Sequence, residues 1–454
     1  MARREGTARD HPWSLDLVQN LRKVLLDLSA YPYPYTESPP ETPKRASVTL
    51  IIRIQPHYKF WPPKSNGFGE KSQFISDEDR INAFFDQDWV KFGDPEVLFI
   101  KRAARKGDKW TSHVAFPGGG RDKEDADDKA AAIREAYEEV GLELSDDIAI
   151  STGNLPQRVV SANWGKSPLM VLCPYVFLLT SHDIPPLRLQ PSEVASAHWV
   201  PVRVLLSPSQ RTFWYQDVSS RTSRNDLGFK KWVHRFTTGD MLFAAVRLIP
   251  SESVYCTSTD EFVPTKADIH DLADDPINTN LIVPLVGASW YKPSSPVDVP
   301  LLLWGLTLGI MSDFLDLVPP HTAIRAWVYP TFTPLDLRFV LWLMSYRFRT
   351  QKQKELEDGY KAAELAAEDS QQAGDVNGEV KAPVAKIDGM GAGWRLYGSV
   401  TPDQKSFRSD TITPLMSGYY NIVRRAVEVT LIGRLGIAAV ALWFTYKGWK
   451  ARSV

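Results

Sequence analysis

Apolar positions along the chain recur with two periods. Leu15, Leu17, Val18, Leu21, Val24, Leu25 and Leu28 repeat at helical spacing and predict an amphipathic helix. The Pro- and Tyr-rich stretch Tyr31–Pro43 predicts extended or looped chain. β-branched residues then crowd Ser47–Ile54, which reads as the first strand of the main domain. Val97–Lys101, Ala149–Ser151, Leu169–Leu179 and Ala195–Val200 read as further strands. Between them Ala130–Val140 has the helical period, with Gly118–Gly120 expected in the loop before it. Strands and helices mixed in this way predict an α/β fold, a mixed sheet flanked by helices.

Residues 47–320 are expected to form this domain, led by a helix and a Pro/Tyr-rich segment over residues 1–46. Within it, residues 207–298 read as an insertion. That stretch holds a polar segment (Ser219–Arg224), a strand-like run (Met241–Ile249) and an apolar run (Leu281–Ala288). Pro300–Leu317 starts apolar and turns amphipathic at Asp313 and Asp316, and predicts a core helix rather than a membrane span. Residues 321–350 include Leu335–Phe348, an amphipathic run interrupted by Asp336 and Arg338, interfacial at most. Lys, Glu, Ala, Gln and Gly dominate 351–386, a solvated helix or linker.

The tail, 387–454, turns apolar again over Val429–Tyr446, broken by Arg434. Trp443, Tyr446 and Trp449 would sit at an interface, and Lys447, Lys450 and Arg452 form a basic end. The expectation is a membrane helix over 429–446 that tethers the protein to an organelle membrane facing the cytosol. An amphipathic helix packed on the domain or lying in the interface is the alternative reading.

Composition narrows the function. With 53 basic and 54 acidic residues the formal net charge is −1, which gives no support for general electrostatic binding to nucleic acid. Cys173 and Cys256 are the only cysteines, so there is no disulfide framework. A reducing, intracellular compartment and a metal site built from oxygen ligands fit this usage. The first 13 residues are polar and carry both charge signs, which argues against a secretory signal.

The candidate chemistry lies in Ala115-Phe116-Pro117-Gly118-Gly119-Gly120-Arg121-Asp122 and the helix after it. At about 100° per residue, Glu135, Glu138 and Glu139 fall within an arc of roughly 100°. Ile133, Ala136, Tyr137 and Val140 take the opposite, core side. The carboxylates are either a solvated face or a cation site. Their place in the last turns, against the helix dipole and against one another, costs a few tenths of a kcal/mol each. A hard divalent cation would remove both penalties.

Arg134-Glu135-Ala136-Tyr137-Glu138-Glu139-Val140-Gly141-Leu142 resembles the second half of the Nudix box, REUxEExGU with U aliphatic. The longer spacing from Phe116-Pro117-Gly118-Gly119 to the helix is similar to the coenzyme A pyrophosphatase branch. The likeness runs from about residue 47 to 317, with 207–298 outside it. Ser112-His113 departs from the Gly-Gln pair of that branch, which bears on the substrate.

The resemblance implies a Nudix-type fold and hydrolysis of a diphosphate linkage in a small nucleoside diphosphate derivative. Mg²⁺ or Mn²⁺ would be held by Glu135, Glu138, Glu139 and the Gly119 carbonyl. Glu139 or Glu193 would be the general base, and Arg134 would position the acids. Asp125 is expected as the first acid that orients Arg134, with Glu124 and Asp122 as alternatives. Lys101, Arg102 and Arg121 are candidate phosphate contacts. His113 reads either as a substrate contact or as a structural histidine, and Trp110 as a base platform or a loop cap. Coenzyme A or an acyl derivative is the leading substrate; the alternatives are a nucleotide sugar, a dinucleotide or capped RNA, or a catalytically weak binding or scaffold module.

Overall fold

Helix α1 (Pro12–Ala30) turns Val18, Leu21, Val24, Leu25 and Leu28 into the same core as the strands, so the lead is part of the domain rather than an appendage. The computed structural model describes residues 12–62, 76–104, 112–162, 167–217, 238–258, 301–318, 328–373, 416 and 418–452. Trp110, Ser219–Arg224, Leu281–Ala288 and the end of the 351–386 segment lie outside the described residues.

After α1 come β1 (Arg45–Gln55), α2 (Asp77–Phe85), α3 (Asp88–Lys91) and β2 (Asp94–Arg102). β3 (Val114–Ala115) and β4 (Gly118–Gly120) lead to α4 (Asp128–Val140). Then follow β5 (Ala149–Asn154), β6 (Arg158–Ala162), β7 (Ser167–Leu179), β8 (Val194–Pro201) and α5 (Val202–Leu206). β9 (Arg211–Asp217), β10 (Asp240–Arg247), β11 (Glu252–Tyr255) and β12 (Leu302–Trp304) precede α6 (Gly305–Asp316). β13 (Thr331–Phe332) opens onto two long helices, α7 (Leu335–Ala373) and α8 (Tyr419–Arg452).

The main sheet has the order β11-β8-β2-β1-β7-β5, with β3 on β2, β4 on β1 and β6 on β7. β1 and β7 run parallel and the other pairs antiparallel, so the sheet is mixed. Successive side chains of a strand point to opposite faces, and the three central strands divide accordingly. Leu50, Ile52, Val97, Phe99, Val176 and Leu178 pack with α1 and α6. Ile51, Leu98, Ile100, Phe177 and Leu179 pack with Ala136 and Val140 of α4. The result is a sheet buried on both faces, the α/β architecture expected from the sequence.

Three expectations are corrected. Gly118–Gly120 is not loop but strand, paired with β1 through Ala46↔Gly120, Ser47↔Gly119 and Val48↔Gly118. Only glycine allows this approach at 118: φ is +151°, and a Cβ there would stand 2.2 Å from the Ser47 carbonyl oxygen. Tyr137, expected in the core, is 52% exposed. The buried stripe of α4 runs Ala132, Ala136, Val140, and Tyr137 lies about 100° round the helix from it. Asp313 and Asp316 do not mark a solvated edge of α6; both are buried, and Asp313 pairs with Arg158.

The 207–298 stretch is knitted into the fold at two places. β11 extends the main sheet beside β8, while β9 and β10 join β12 and β13 in a second sheet. β13 then delivers α7, which pairs with α8 over a core of Phe332, Leu337, Leu341, Tyr419, Val423 and Ala426. The two helices run antiparallel: Phe348 lies by Tyr419, and Asp336 by Arg434.

Candidate active site

Both ends of α4 are fixed by local chemistry. Asp127 caps the first turn by accepting the Ala130 N–H at 2.7 Å. Gly141 ends the helix in the left-handed region, φ 70°, with its N–H on the Tyr137 carbonyl. A long-range clamp holds the N-terminal end to β1: Arg45 Nε donates to both oxygens of buried Asp128, at 3.0 and 2.9 Å. Arg45 also reaches Gln157 and Cys173. Burial pushes the Cys173 thiol up to about 12, which leaves it neutral within this clamp.

On the exposed side of α4, Arg134 is the hub. Its Nε and Nη2 each lie 3.0 Å from an oxygen of Asp125, a fork-to-fork pair. Nη2 also donates to the Gly120 carbonyl, and Nη1 donates to Glu135 at 3.0 Å and Glu138 at 2.9 Å. The bond from Arg134 holds the Asp125 carboxyl below the usual carboxylate range. Of the three first-acid candidates, Asp125 makes the bidentate contact, while Asp122 stands 3.6 Å away. Glu138 thus lies on Arg134 at the surface, apart from the inner acids.

The inner acids are Glu135, Glu139 and Glu193, whose ligand oxygens lie within 4.8 Å of one another. Glu139 is 1% exposed. It accepts the Gly118 N–H at 2.8 Å, and the Arg102 guanidinium stands 3.8 Å away. Burial pushes its carboxyl up to about 8, the Gly118 bond and Arg102 pull it back, and Glu135 and Glu193 add to the rise. Burial also raises Glu135, against the pull of Arg134. Glu135 has room because residue 119 is glycine; a Cβ there would lie 2.5 Å from its carboxylate.

Glu193 comes from outside the helix, yet backbone bonds tie it to the end of α4. Arg188 and Gln190 N–H groups donate to the carbonyls of Val140 and Glu139, two carbonyls that the helix itself leaves unused. Glu193 N–H then donates to Gln190, and the Glu193 carbonyl accepts from Ala103. The turn that satisfies the helix end therefore also sets the third acid.

Three carboxylates, one of them buried, form a set of hard oxygen donors with excess negative charge. Uncompensated charge of this kind is costly in a protein interior, and a divalent cation fits it in ligand type and in sign. The remaining candidates separate. Arg102 reaches the site. Arg121 is engaged at the head of α4, with Asp128 at 3.2 Å and the Ala126 carbonyl at 3.0 Å. Strand alternation puts Lys101 on the sheet face away from α4, where its charge adds to the burial that lowers His198 to about 4. His113 packs edge-on to Trp304, at 4.8 Å between ring centroids, and Trp304 stacks on Trp214. The Arg45–Asp128 clamp escaped the sequence reading, because a pair 83 residues apart leaves no periodic signal.

The NUDIX domain family matches residues 89–220, which include the whole of this cluster. An uncharacterized protein of Schizosaccharomyces pombe is 31% identical over 316 residues, 69% of this chain and 78% of the relative. The chain belongs to the Nudix hydrolase family. The peroxisomal coenzyme A diphosphatase ndx-8 of Caenorhabditis elegans is 37% identical over 123 residues, 27% of this chain. The chain spans about half the length of that relative, 48%. Among solved structures, the NUDIX domain of Shewanella oneidensis NrtR complexed with ADP ribose is 13% identical, covering 36% of this chain and 74% of that one, with a TM-score of 0.22. A MutT/nudix family protein of Enterococcus faecalis is 17% identical, covering 36% and 46%, also with a TM-score of 0.22. As a Nudix hydrolase the protein acts on a diphosphate anhydride, and enzymes of this family generally use divalent metal ions.

Proposed function

We propose that this Nudix hydrolase cleaves the diphosphate of coenzyme A or an acyl-coenzyme A, with Mg²⁺ or Mn²⁺ held by Glu135, Glu139 and Glu193. The convergence of these three acids within 4.8 Å is the observation that carries the reading. The likeness to a coenzyme A diphosphatase and the FPGG spacing support the substrate. When bound, the cation would neutralise the diphosphate and polarise the attacking water.

The chain's own residues supply the rest. Asp125 and Gly120 fix the Arg134 fork, and Arg134 in turn holds Glu135 in place. Gly118 N–H pins one oxygen of Glu139. Arg102 faces the anionic cluster and is placed to meet a phosphate oxygen. Glu193, carried on a turn rather than on α4, would hold the cation through one carboxylate oxygen and take the proton of the attacking water at the other. The new P–O bond forms as the bridging P–O bond breaks, giving a phosphopantetheine and adenosine 3′,5′-bisphosphate.

The test is turnover of a panel (coenzyme A, an acyl-coenzyme A, a nucleotide sugar, a dinucleotide, capped RNA) by the full chain with each metal. Coenzyme A or its acyl derivative should be cleaved fastest. Robust turnover of another compound moves the enzyme to that substrate, and binding without cleavage makes it a scaffold.

We further propose that α8 attaches the protein to an organelle membrane, with the Nudix domain in the reducing cytosol. Tyr419–Ala451 is long and apolar enough to cross a bilayer, and only 6% of its apolar window is buried. Leu435→Glu with Val440→Lys should move the full chain from the membrane pellet to the supernatant. Full retention of that variant in the pellet would sink this reading.

A further inference from the structure

We propose that one face of the second sheet, formed by Trp214, Phe243 and Trp304, receives the acyl chain of an acyl-coenzyme A, so that thioesters of medium or long chains are cleaved in preference to short ones. This subsite presupposes the coenzyme A reading of the carboxylate site and names the part of the substrate that selects among its derivatives.

Strand register connects this face to the carboxylates. β3 lies antiparallel to β2, with Lys101 opposite Val114 and Ile100 opposite Ala115, and the Arg102 N–H donates to the His113 carbonyl at 3.0 Å. Opposed residues of such a pair point to the same face. His113 therefore shares the face from which Arg102 reaches Glu139. The His113 ring meets Trp304 at 4.8 Å and Trp214 at 6.2 Å between centroids. In the second sheet Phe243 stands opposite Trp214, and Ala245 opposite Trp304, which puts the three large rings on one face. Trp214 and Trp304 stack at 5.3 Å, and Phe243 lies 5.5 Å from Trp304. The alternate positions Ala244, Val246 and Leu303 turn the other way, into the main core. An aromatic wall thus starts one cross-strand step from the arginine beside the acids.

Chemistry decides what the wall takes. Trp304 is buried behind its neighbours, whereas Trp214 and Phe243 are half-buried and keep part of their surface exposed. The Trp214 Nε1–H is already engaged by the Gln216 side-chain oxygen at 3.1 Å, so the wall offers ring surface rather than donors. The nucleoside end of coenzyme A carries a phosphate, and none of Trp214, Phe243 and Trp304 can pair with it. A charge brought there would lose its water without return. A hydrocarbon chain gains instead, by up to about fourfold in affinity for each methylene removed from water. Reach fits as well. The pantetheine arm between diphosphate and thioester spans on the order of 15 Å when extended, and the wall begins about 5 Å across the strands from Arg102. The departure at Ser112-His113 acquires a reason, since the histidine ring is what carries the wall up to the site.

The test compares kcat/KM of the full chain on acetyl- and octanoyl-coenzyme A. Octanoyl-coenzyme A should be favoured by at least tenfold, well within what six partly buried methylenes supply. Trp214→Ala and Phe243→Ala should each cut that octanoyl-to-acetyl ratio by about tenfold. No chain-length preference in the wild type overturns the proposal. A ratio unchanged in both variants, with turnover of both compounds lowered alike, overturns it in favour of a part they share, the nucleoside or the pantetheine arm. A second measurement needs no variant to fold: octanoyl-coenzyme A with a diazirine at the chain end is irradiated on metal-free wild-type protein. It should label Arg211–Asp217 or Asp240–Arg247, and absence of label from both strands overturns the acyl assignment. If neither thioester nor coenzyme A is cleaved while another diphosphate is, the coenzyme A reading itself falls, and the acyl subsite with it.

Discussion

Helix α4 and the α7–α8 pair break the usual distribution of polar and apolar groups in opposite senses. On α4, a carboxylate that belongs in water is buried: Glu139 sits against the Gly118 N–H with two further acids beside it. On α7 and α8, side chains that belong in a core face outward. Among the described residues the central strands are buried on both faces, and Arg45, Arg53 and Arg158 are each paired with an acid. A misplaced charge and a misplaced aromatic stripe ask for different missing solvents. The first fits a cation, and for the second, on α8, we propose hydrocarbon. The family assignment accounts for the first, and the second lies outside the residues matched to that family.

Four experiments break or sharpen this contrast. The largest effect is expected from Glu139→Gln, which keeps the shape and the acceptor for Gly118 but cannot ionise to serve as a metal ligand. Turnover with Mg²⁺ or Mn²⁺ should fall by orders of magnitude, while metal-free protein melts no lower than wild type in calorimetry. A lower melting temperature at neutral pH would mean that Glu139 stabilises the fold rather than the metal. Next comes Leu341→Ala in the helix-pair core, which should cost about 2–5 kcal/mol of local stability, read as lost hydrogen-exchange protection in α7 and α8. The carboxylate site should keep its activity. Loss of turnover in the detergent-solubilised variant would show the two regions to be one cooperative unit.

The third experiment concerns pH. His198 is held neutral by burial, between Ser196 and Ser253 at 2.8 Å each, with its pKa lowered to about 4 from 6.5. A depressed pKa contributes stability above the unfolded value that is lost as pH falls toward the folded one. Unfolding free energy should therefore drop by on the order of 2–3 kcal/mol between pH 7 and pH 4, and His198→Asn should flatten that limb. An identical acid limb in both proteins would assign the loss to other groups. The smallest effect is expected from Trp342→Ala on the exposed side of α7. In water its stability should stay within about 0.5 kcal/mol of wild type. A larger loss in denaturant titration would mean that the stripe is covered by protein.

Much of this was legible in the sequence. The strand periods located β1, β2, β5, β7 and β8, and the helical period located α1 and α4 to within a few residues. The Arg134–Leu142 pattern pointed to the family before any geometry. What could not be read were facts set by distant chain. Gly118–Gly120 looks like loop because glycine lowers strand propensity; its pairing with β1 comes from the neighbour, not from itself. Tyr137 sits at the margin of the buried stripe, where a helical wheel cannot decide. The separation of Glu138 from Glu135 and Glu139 depends on where the Arg134 fork settles, and Lys101 is lost to the far face by a single step of strand alternation. Residues 207–298 gave no period linking β11 to the main sheet, since that pairing spans from Tyr255 to Ser196.

The stitching of Arg188 and Gln190 to the carbonyls of Val140 and Glu139 has a consequence for how this protein can vary. Between Arg188 and Glu193 the number of residues is fixed, because one more or one fewer would carry the third acid off its register with α4. From Ser181 to Leu187 no such ruler applies, and the chain can lengthen there without moving the acids. Gly141 keeps the same ruler true, since a Cβ would stand 2.9 Å from that of Arg188. Across a lineage, length changes should accumulate before Arg188 and stop there, and a residue other than glycine at 141 should arise only alongside a rebuilt turn.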